Sequence, residues 1–122
     1  MAHPQQSSAD LKRIEDSELL QSILRAIDEY DLSSSPDWGD LDQLSNRTEF
    51  ESLEANPDGI FEGPPGSFQA VGNVYVTLNY GDKHDSSSMS DSYPVQLTGT
   101  FDPKTKAVSI DHVSIDTSSF YS

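Results

Sequence analysis

Val74-Tyr75-Val76-Thr77-Leu78-Asn79-Tyr80 alternates apolar or aromatic with polar side chains, and this stretch decides the fold. A period of two sets every second side chain on one face of an extended chain, and β-branched and aromatic residues suit a half-buried strand. Towards the C-terminus, Val95, Leu97 and Phe101 repeat the alternation, with Gly99 marking a bulge or a close approach of backbone. Val108 and Ile110 continue on even positions, whereas Val113 and Ile115 fall on odd ones. That slip across Asp111-His112 requires a bulge, or half of the strand would turn its apolar side to water. Asp102-Pro103-Lys104-Thr105-Lys106 reads as a tight hairpin loop, and residues 81–92 as a longer polar one. An antiparallel β-meander is therefore expected over 68–117.

A sheet with one apolar face needs a cover. Leu20, Ile23, Leu24 and Ile27 recur at helical spacing, with Leu19 and Tyr30 at the margin of the stripe. Asp16 or Ser17 is the nearest N-cap, while Leu11 and Ile14 extend the stripe backwards to an earlier cap at Ser8. The helix is expected over 9–31, after a disordered start at 1–8. Residues 33–66 read as acidic, irregular and carrying short helices. Ser35-Pro36 launches one through Trp38, Leu41 and Leu44. Thr48-Glu49-Phe50-Glu51 has the capping-box pattern and launches another, bearing Phe50 and Leu53. Asn56-Pro57-Asp58-Gly59 and Gly63-Pro64-Pro65-Gly66 are breaks, with a short edge strand at Ile60-Phe61 between them. The expectation is one α+β domain over 1–122: an N-terminal amphipathic helix packed on a small antiparallel β-meander, with short helical turns in an acidic middle segment.

Composition limits the functions open to such a domain. With no cysteine, disulfides, zinc–thiolate sites and cysteine nucleophiles are excluded, and the expected location is cytoplasmic. The N-terminal stretch has no signal-peptide pattern, so the mature chain is expected to begin near Met1, and no membrane span is expected. Acids outnumber bases 21 to 7, a net charge of −14. Residues 33–66 hold eight of these acids and a single base, Arg47. Phosphate backbones and anionic membranes want patches of Lys and Arg, so direct nucleic-acid and membrane binding are disfavoured. A basic protein partner is favoured, because complementary potentials speed encounter. Solubility alone also accounts for surplus acids.

Val74–Gly81, Ser90-Asp91-Ser92-Tyr93-Pro94 and Asp116-Thr117-Ser118-Ser119-Phe120-Tyr121 together resemble the small β-modules at the C-terminal end of predicted bacterial defence nucleases. The resemblance covers about the last 50 residues and touches no catalytic domain, so no catalytic carboxylate cluster carries over. It implies an accessory or regulatory β-module in a bacterial conflict system.

Sites for chemistry are scarce. Asp82, His84, Asp85 and Asp91 lie in the 81–92 segment, but a calcium loop needs an internal glycine and a terminal Glu, which this segment lacks. Asp111 and His112 could be two parts of a serine triad, yet neighbouring strand residues face opposite ways and no Gly-x-Ser-x-Gly elbow is present. Gly63-Pro64-Pro65-Gly66 puts prolines where a phosphate loop needs N–H donors. The expected protein is therefore not an enzyme and takes no cofactor or metal.

Its candidate partner-binding residues are Asp37, Trp38, Asp40, Asp42, Glu49, Glu51, Glu54, Asp58 and Glu62. An aromatic anchor in an acidic field suits a basic, partly apolar groove and imitates the phosphates of nucleic acid. The competing reading makes Trp38, Leu41, Phe50 and Phe61 the second half of the core. On the first reading the chain is an inhibitor, immunity protein or antitoxin of a nuclease or other nucleic-acid-binding protein. The alternative is a structural or regulatory module of a larger complex, meeting its partner through a strand edge or the 81–92 segment.

Overall fold

The computed structural model describes residues 12–81 and 85–121. The expected disorder at 1–8, the helix start at residue 9, and Asp82 and His84 lie outside them. Five antiparallel strands run in sequence order: β1 (Lys12–Arg13), β2 (Arg47–Glu62), β3 (Ser67–Gly81), β4 (Ser86–Phe101) and β5 (Val108–Ile115). Helix α1 (Ser17–Asp28) precedes β2, followed by 3-10 turns at Leu32–Ser34 and Pro36–Trp38 and the one-turn helix α2 (Gly39–Asp42). A last turn, α3 (Ser118–Tyr121), follows β5. The fold is α+β as expected, with strands dominant.

Asp16 is the N-cap of α1, accepting from the N–H groups of Glu18 at 3.0 Å and Leu19 at 3.4 Å. Leu19, Ile23 and Ile27, spaced by four, are buried, while Leu20 and Leu24 flank them half-buried. Removing an isoleucine side chain such as Ile23 from water is worth roughly 1.5–3 kcal/mol. On the sheet, the partners of this stripe are the even residues of β3 (Phe68, Ala70, Val74, Val76, Leu78) and the odd residues of β4 (Tyr93, Val95, Leu97, Phe101). Helix α1 packs against both β2 and β5, two strands with two others between them, so the sheet curls its apolar face around the helix.

Three expectations are corrected. The helix begins at Ser17 and does not run back through residues 12–16: buried Ile14 donates its N–H to Ile60 O at 3.2 Å, and Lys12-Arg13 pair with Glu62 and Phe61 as β1. The chain from 47 to 62 is a strand, not a helical turn followed by loops. Glu51 is an extra residue between the pairs Phe50↔Val76 and Ser52↔Tyr75. That bulge shifts the inward parity, so Phe50 and Leu53 acquire a helix-like spacing of three. Asn56-Pro57-Asp58-Gly59 is a wider bulge within β2, stitched by the Asp58 N–H donating to Asn56 Oδ1 at 2.9 Å. Ile60-Phe61 is the end of this long strand and is not a separate edge. Finally, residues 86–92 are strand rather than loop, because β4 keeps an unbroken register with β3 from Gly81↔Ser86 to Ser67↔Thr100.

The slip in β5 is a bulge as expected. Thr98 pairs with His112 and Gly99 with Ile110, leaving Asp111 as the extra residue. Gly99 is a close approach: a Cβ there would stand 2.6 Å from the Phe68 ring and closer still to Ser109 O.

Candidate functional site

The acidic middle segment is held to the open end of the curled sheet by its own short turns. Leu32, Leu41 and Leu44 are buried and pin it from below. Thr48, the buried polar residue of the core, donates its hydroxyl to Leu41 O at 2.9 Å and shares a 2.8 Å bond with the Ser45 hydroxyl. Tyr80 donates its hydroxyl to Leu44 O at 3.0 Å. Asp31 caps the first 3-10 turn; the hydroxyls of Ser33 and Ser34 hold its carboxyl below the usual range. Trp38 meets Phe50 edge to face, ring centres 6.1 Å apart, and both are partly buried against the core. Trp38 and Phe50 are therefore core-facing, whereas Phe61, paired with Gln69 and next to inward-facing Ile60, lies on the opposite face of the sheet.

The structure distributes the nine sequence-selected residues unevenly. Asp37 is largely covered, its side chain 17% exposed, and its carboxylate accepts from the Val113 N–H at 3.0 Å and lies 3.1 Å from His112 Nδ1. This side chain closes part of the free edge of β5. His112 is thus partnered by Asp37 and not by Asp111. Asp40 and Asp42 lie exposed on α2. Glu49 pairs with Arg47 at 3.5 Å and Asp58 with Arg13, both on the surface, where such pairs add little. Glu62 lies opposite Lys12 in the ladder between β1 and β2. Glu51 accepts from the Thr77 hydroxyl at 2.7 Å on the uncovered face of the sheet. There Glu51, Ser52 and Glu54 border a shallow groove that has Tyr75 and Thr77 on its floor and Ser90 to Ser92 on the far side.

Exposed carboxylates thus lie on both sides, Asp40 and Asp42 on the short helix before β2 and Glu51 and Glu54 beside the groove on the open face. Sequence reasoning began the first of these groups too late. Between Arg25 and Arg47 the chain holds Asp28, Glu29, Asp31, Asp37, Asp40 and Asp42 and no base. All except Asp37 are exposed. The signal was present in the spacing of the bases.

Among the described residues no group of three or more His, Asp or Glu side chains could hold a metal ion. No helix among them is long and apolar enough to cross a membrane. Asp91, from the loop that sequence reasoning tested for calcium, instead accepts from the Tyr93 hydroxyl at 2.9 Å and the Ser92 N–H at 2.8 Å. Burial, reinforced by the bond to Asp91, pushes the Tyr93 phenol well above its usual range.

No curated protein and no solved structure matches the chain. A family model does, over residues 16–121, from the cap of α1 to the end of α3. The resemblance to a defence-nuclease module therefore extends through the helix and strands β2 to β5, and is not confined to about the last 50 residues. The chain belongs to the family described as predicted pPIWI-associating nuclease.

Proposed function

We propose that this chain is a non-enzymatic docking module that binds a pPIWI-type protein through its acidic surface. The observation that carries this reading is the run from Asp28 to Asp42: five exposed carboxylates with no base between them in the chain. Of these, Glu29 shares a shallow groove with Arg25 and Lys106, while Asp31, Asp40 and Asp42 lie on or beside turns anchored by buried leucines. A protein that handles nucleic acid presents Lys and Arg to phosphates, and a rigid acidic surface complements that pattern. The family's description, predicted pPIWI-associating nuclease, supports a pPIWI-type protein as that partner. Asp40 and Asp42 lead the contact, with Glu51 and Glu54 on the other face as a second negative patch. Glu49, Asp58 and Glu62, each beside a base, contribute less, and Asp37 serves the fold. A cytoplasmic location belongs to the same reading and rests on the cysteine-free composition.

The word nuclease in the family's description raises the enzymatic alternative. The scattering of carboxylates over two surfaces speaks for binding, since phosphodiester hydrolysis of the metal-dependent kind gathers them around one or two ions. Incubating the chain with single- and double-stranded DNA and RNA in Mg2+ or Mn2+ is expected to leave them intact; cleavage that co-purifies with the chain would overturn the non-enzymatic part. For the partner, a purified pPIWI-type protein passed over the immobilised chain at low salt should be retained and elute as salt rises. Retention indifferent to salt would contradict the acidic surface. Adding labelled nucleic acid separates the two roles: displacement makes the chain an inhibitor, and a ternary complex makes it an assembly module.

A further inference from the structure

Among the described residues, and apart from the outer side of the two-residue β1, the sheet has three stretches of strand edge without a strand partner, and they are treated differently. Beyond Ile60, the outer edge of β2 carries two bulges, Pro57 and the charged residues Arg47, Glu49, Glu51, Glu54 and Asp58. The edge of β5 carries the Asp111 bulge and the Asp37 carboxylate on the Val113 N–H. Bulges, proline and charge are the devices by which proteins keep foreign strands off an edge. The third stretch lies on β4. Strand β5 pairs with β4 only from Val95 to Phe101, and the ladder closes with the Asp116 N–H donating to Pro94 O at 2.9 Å. Residues 86–90, Ser-Ser-Ser-Met-Ser, extend past that point, paired among the described residues with β3 alone and exposed throughout. They hold no charge, no proline and no bulge.

Backbone parity shows what this edge offers. The Phe101 N–H points towards the β3 side, to Gly66 O, and Pro94 O points towards β5, so odd residues of β4 face β3 and even ones face outward. Ser86, Ser88 and Ser90 thus direct their N–H and C=O groups into the open position beside β4. The next outward N–H, on Ser92, is closed by the Asp91 carboxylate, and Pro94 has none. The slot is bounded and accepts a strand of about five residues, roughly 17 Å. Met89, 49% exposed, lies beside it, and Asp85 and Asp91 stand at its two ends.

We infer that residues 86–90 receive an extended segment of the partner protein, added to the sheet in the place β5 leaves vacant. The occupant carries an apolar side chain against Met89 and a Lys or Arg at the end marked by Asp91. A second copy of this chain fits worse. Two-fold pairing about Ser88 would set Asp85 of one copy opposite Asp91 of the other at both ends, and like charges directly opposite are destabilising. This inference rests on the proposed reading of a pPIWI-type partner, and its test is separable from it.

Ser88→Pro removes one outward N–H, and β4 keeps its bonds to β3 because those come from odd residues. Ser88→Ala keeps the N–H. Binding to the purified pPIWI-type protein should fall about tenfold or more with Ser88→Pro and stay within about twofold with Ser88→Ala. Amide hydrogen exchange at Ser88 and Ser90 should slow in the complex. Binding retained by Ser88→Pro, with exchange at these amides unchanged, would overturn the edge and leave the acidic surface standing. Failure of the wild-type chain to bind would remove both. A homodimer dissociated by Ser88→Pro would overturn the assignment in favour of a second copy.

Discussion

Gly99 and Asp16 show how much rests on single residues. A methyl group at Gly99 collides with the Phe68 ring and with backbone at Ser109, neither of which can withdraw cheaply from a close-packed sheet. Gly99→Ala should cost about 1–3 kcal/mol in urea unfolding, while Gly39→Ala, with open space around it, should change stability by about 0.5 kcal/mol or less. Equal midpoints for the two variants would contradict the packing described here. Asp16 accepts from Lys106 Nζ at 3.0 Å as well as capping α1, and the Lys106 bond followed by the cap hold its carboxyl below the ordinary 3.8. Asp31 and Asp116 are lowered in the same way by neighbouring serines. A carboxyl depressed by folding stabilises the folded state above its unfolded value, and that contribution disappears as pH falls through the lower folded one. Melting temperature should therefore drop as pH falls below about 4, and less steeply in Asp16→Asn, whose side chain keeps the cap but carries no charge to lose. Parallel acid limbs for the two proteins would show that Asp16 takes no part.

Among the elements, the edge of β5 gives the sharpest prediction. Asp37→Ala leaves the Val113 N–H without its acceptor and loosens the 3-10 turn from the sheet. The expected result is faster amide exchange at Val113 and a loss of about 1–3 kcal/mol. Unchanged exchange there would mean the carboxylate does not guard the edge. The same element marks where the sequence could be read. The parity change from Ile110 to Val113 announces its bulge openly, because only one register keeps both apolar pairs inside. Strand β2 was unreadable for a related reason. Its bulges break the period of two twice within 16 residues, and Thr48-Glu49-Phe50-Glu51 then imitates a helix start. The Thr48 hydroxyl that would cap such a helix instead reaches Leu41 O, a contact no local pattern reveals. The start of β4 was missed because five uncharged, mostly small residues carry no alternation; β3 across the ladder makes them a strand.

The molecule as a whole is a half-covered sheet, and the stretch of its sequence between Arg25 and Arg47 carries five exposed carboxylates and no base. That absence was legible, since the distances between Arg25, Arg47 and the next base can be counted along the chain. How the acids divide between the two sides was not, because the bulge at Glu51 decides which face Glu51 and Glu54 take. A net charge of −14 on a chain of 122 residues repels itself, so raising salt from about 10 to 150 mM should raise the melting temperature of the free chain. The same screening should weaken its complex. The most direct measurement is the association rate of the chain with a purified pPIWI-type protein, followed across ionic strength and compared with Asp40→Lys/Asp42→Lys. The wild-type rate should fall about tenfold or more between low and physiological salt. The reversed variant should begin slower and depend less on salt. A wild-type rate that is flat across the series, matched by the variant, would contradict the docking of an acidic surface.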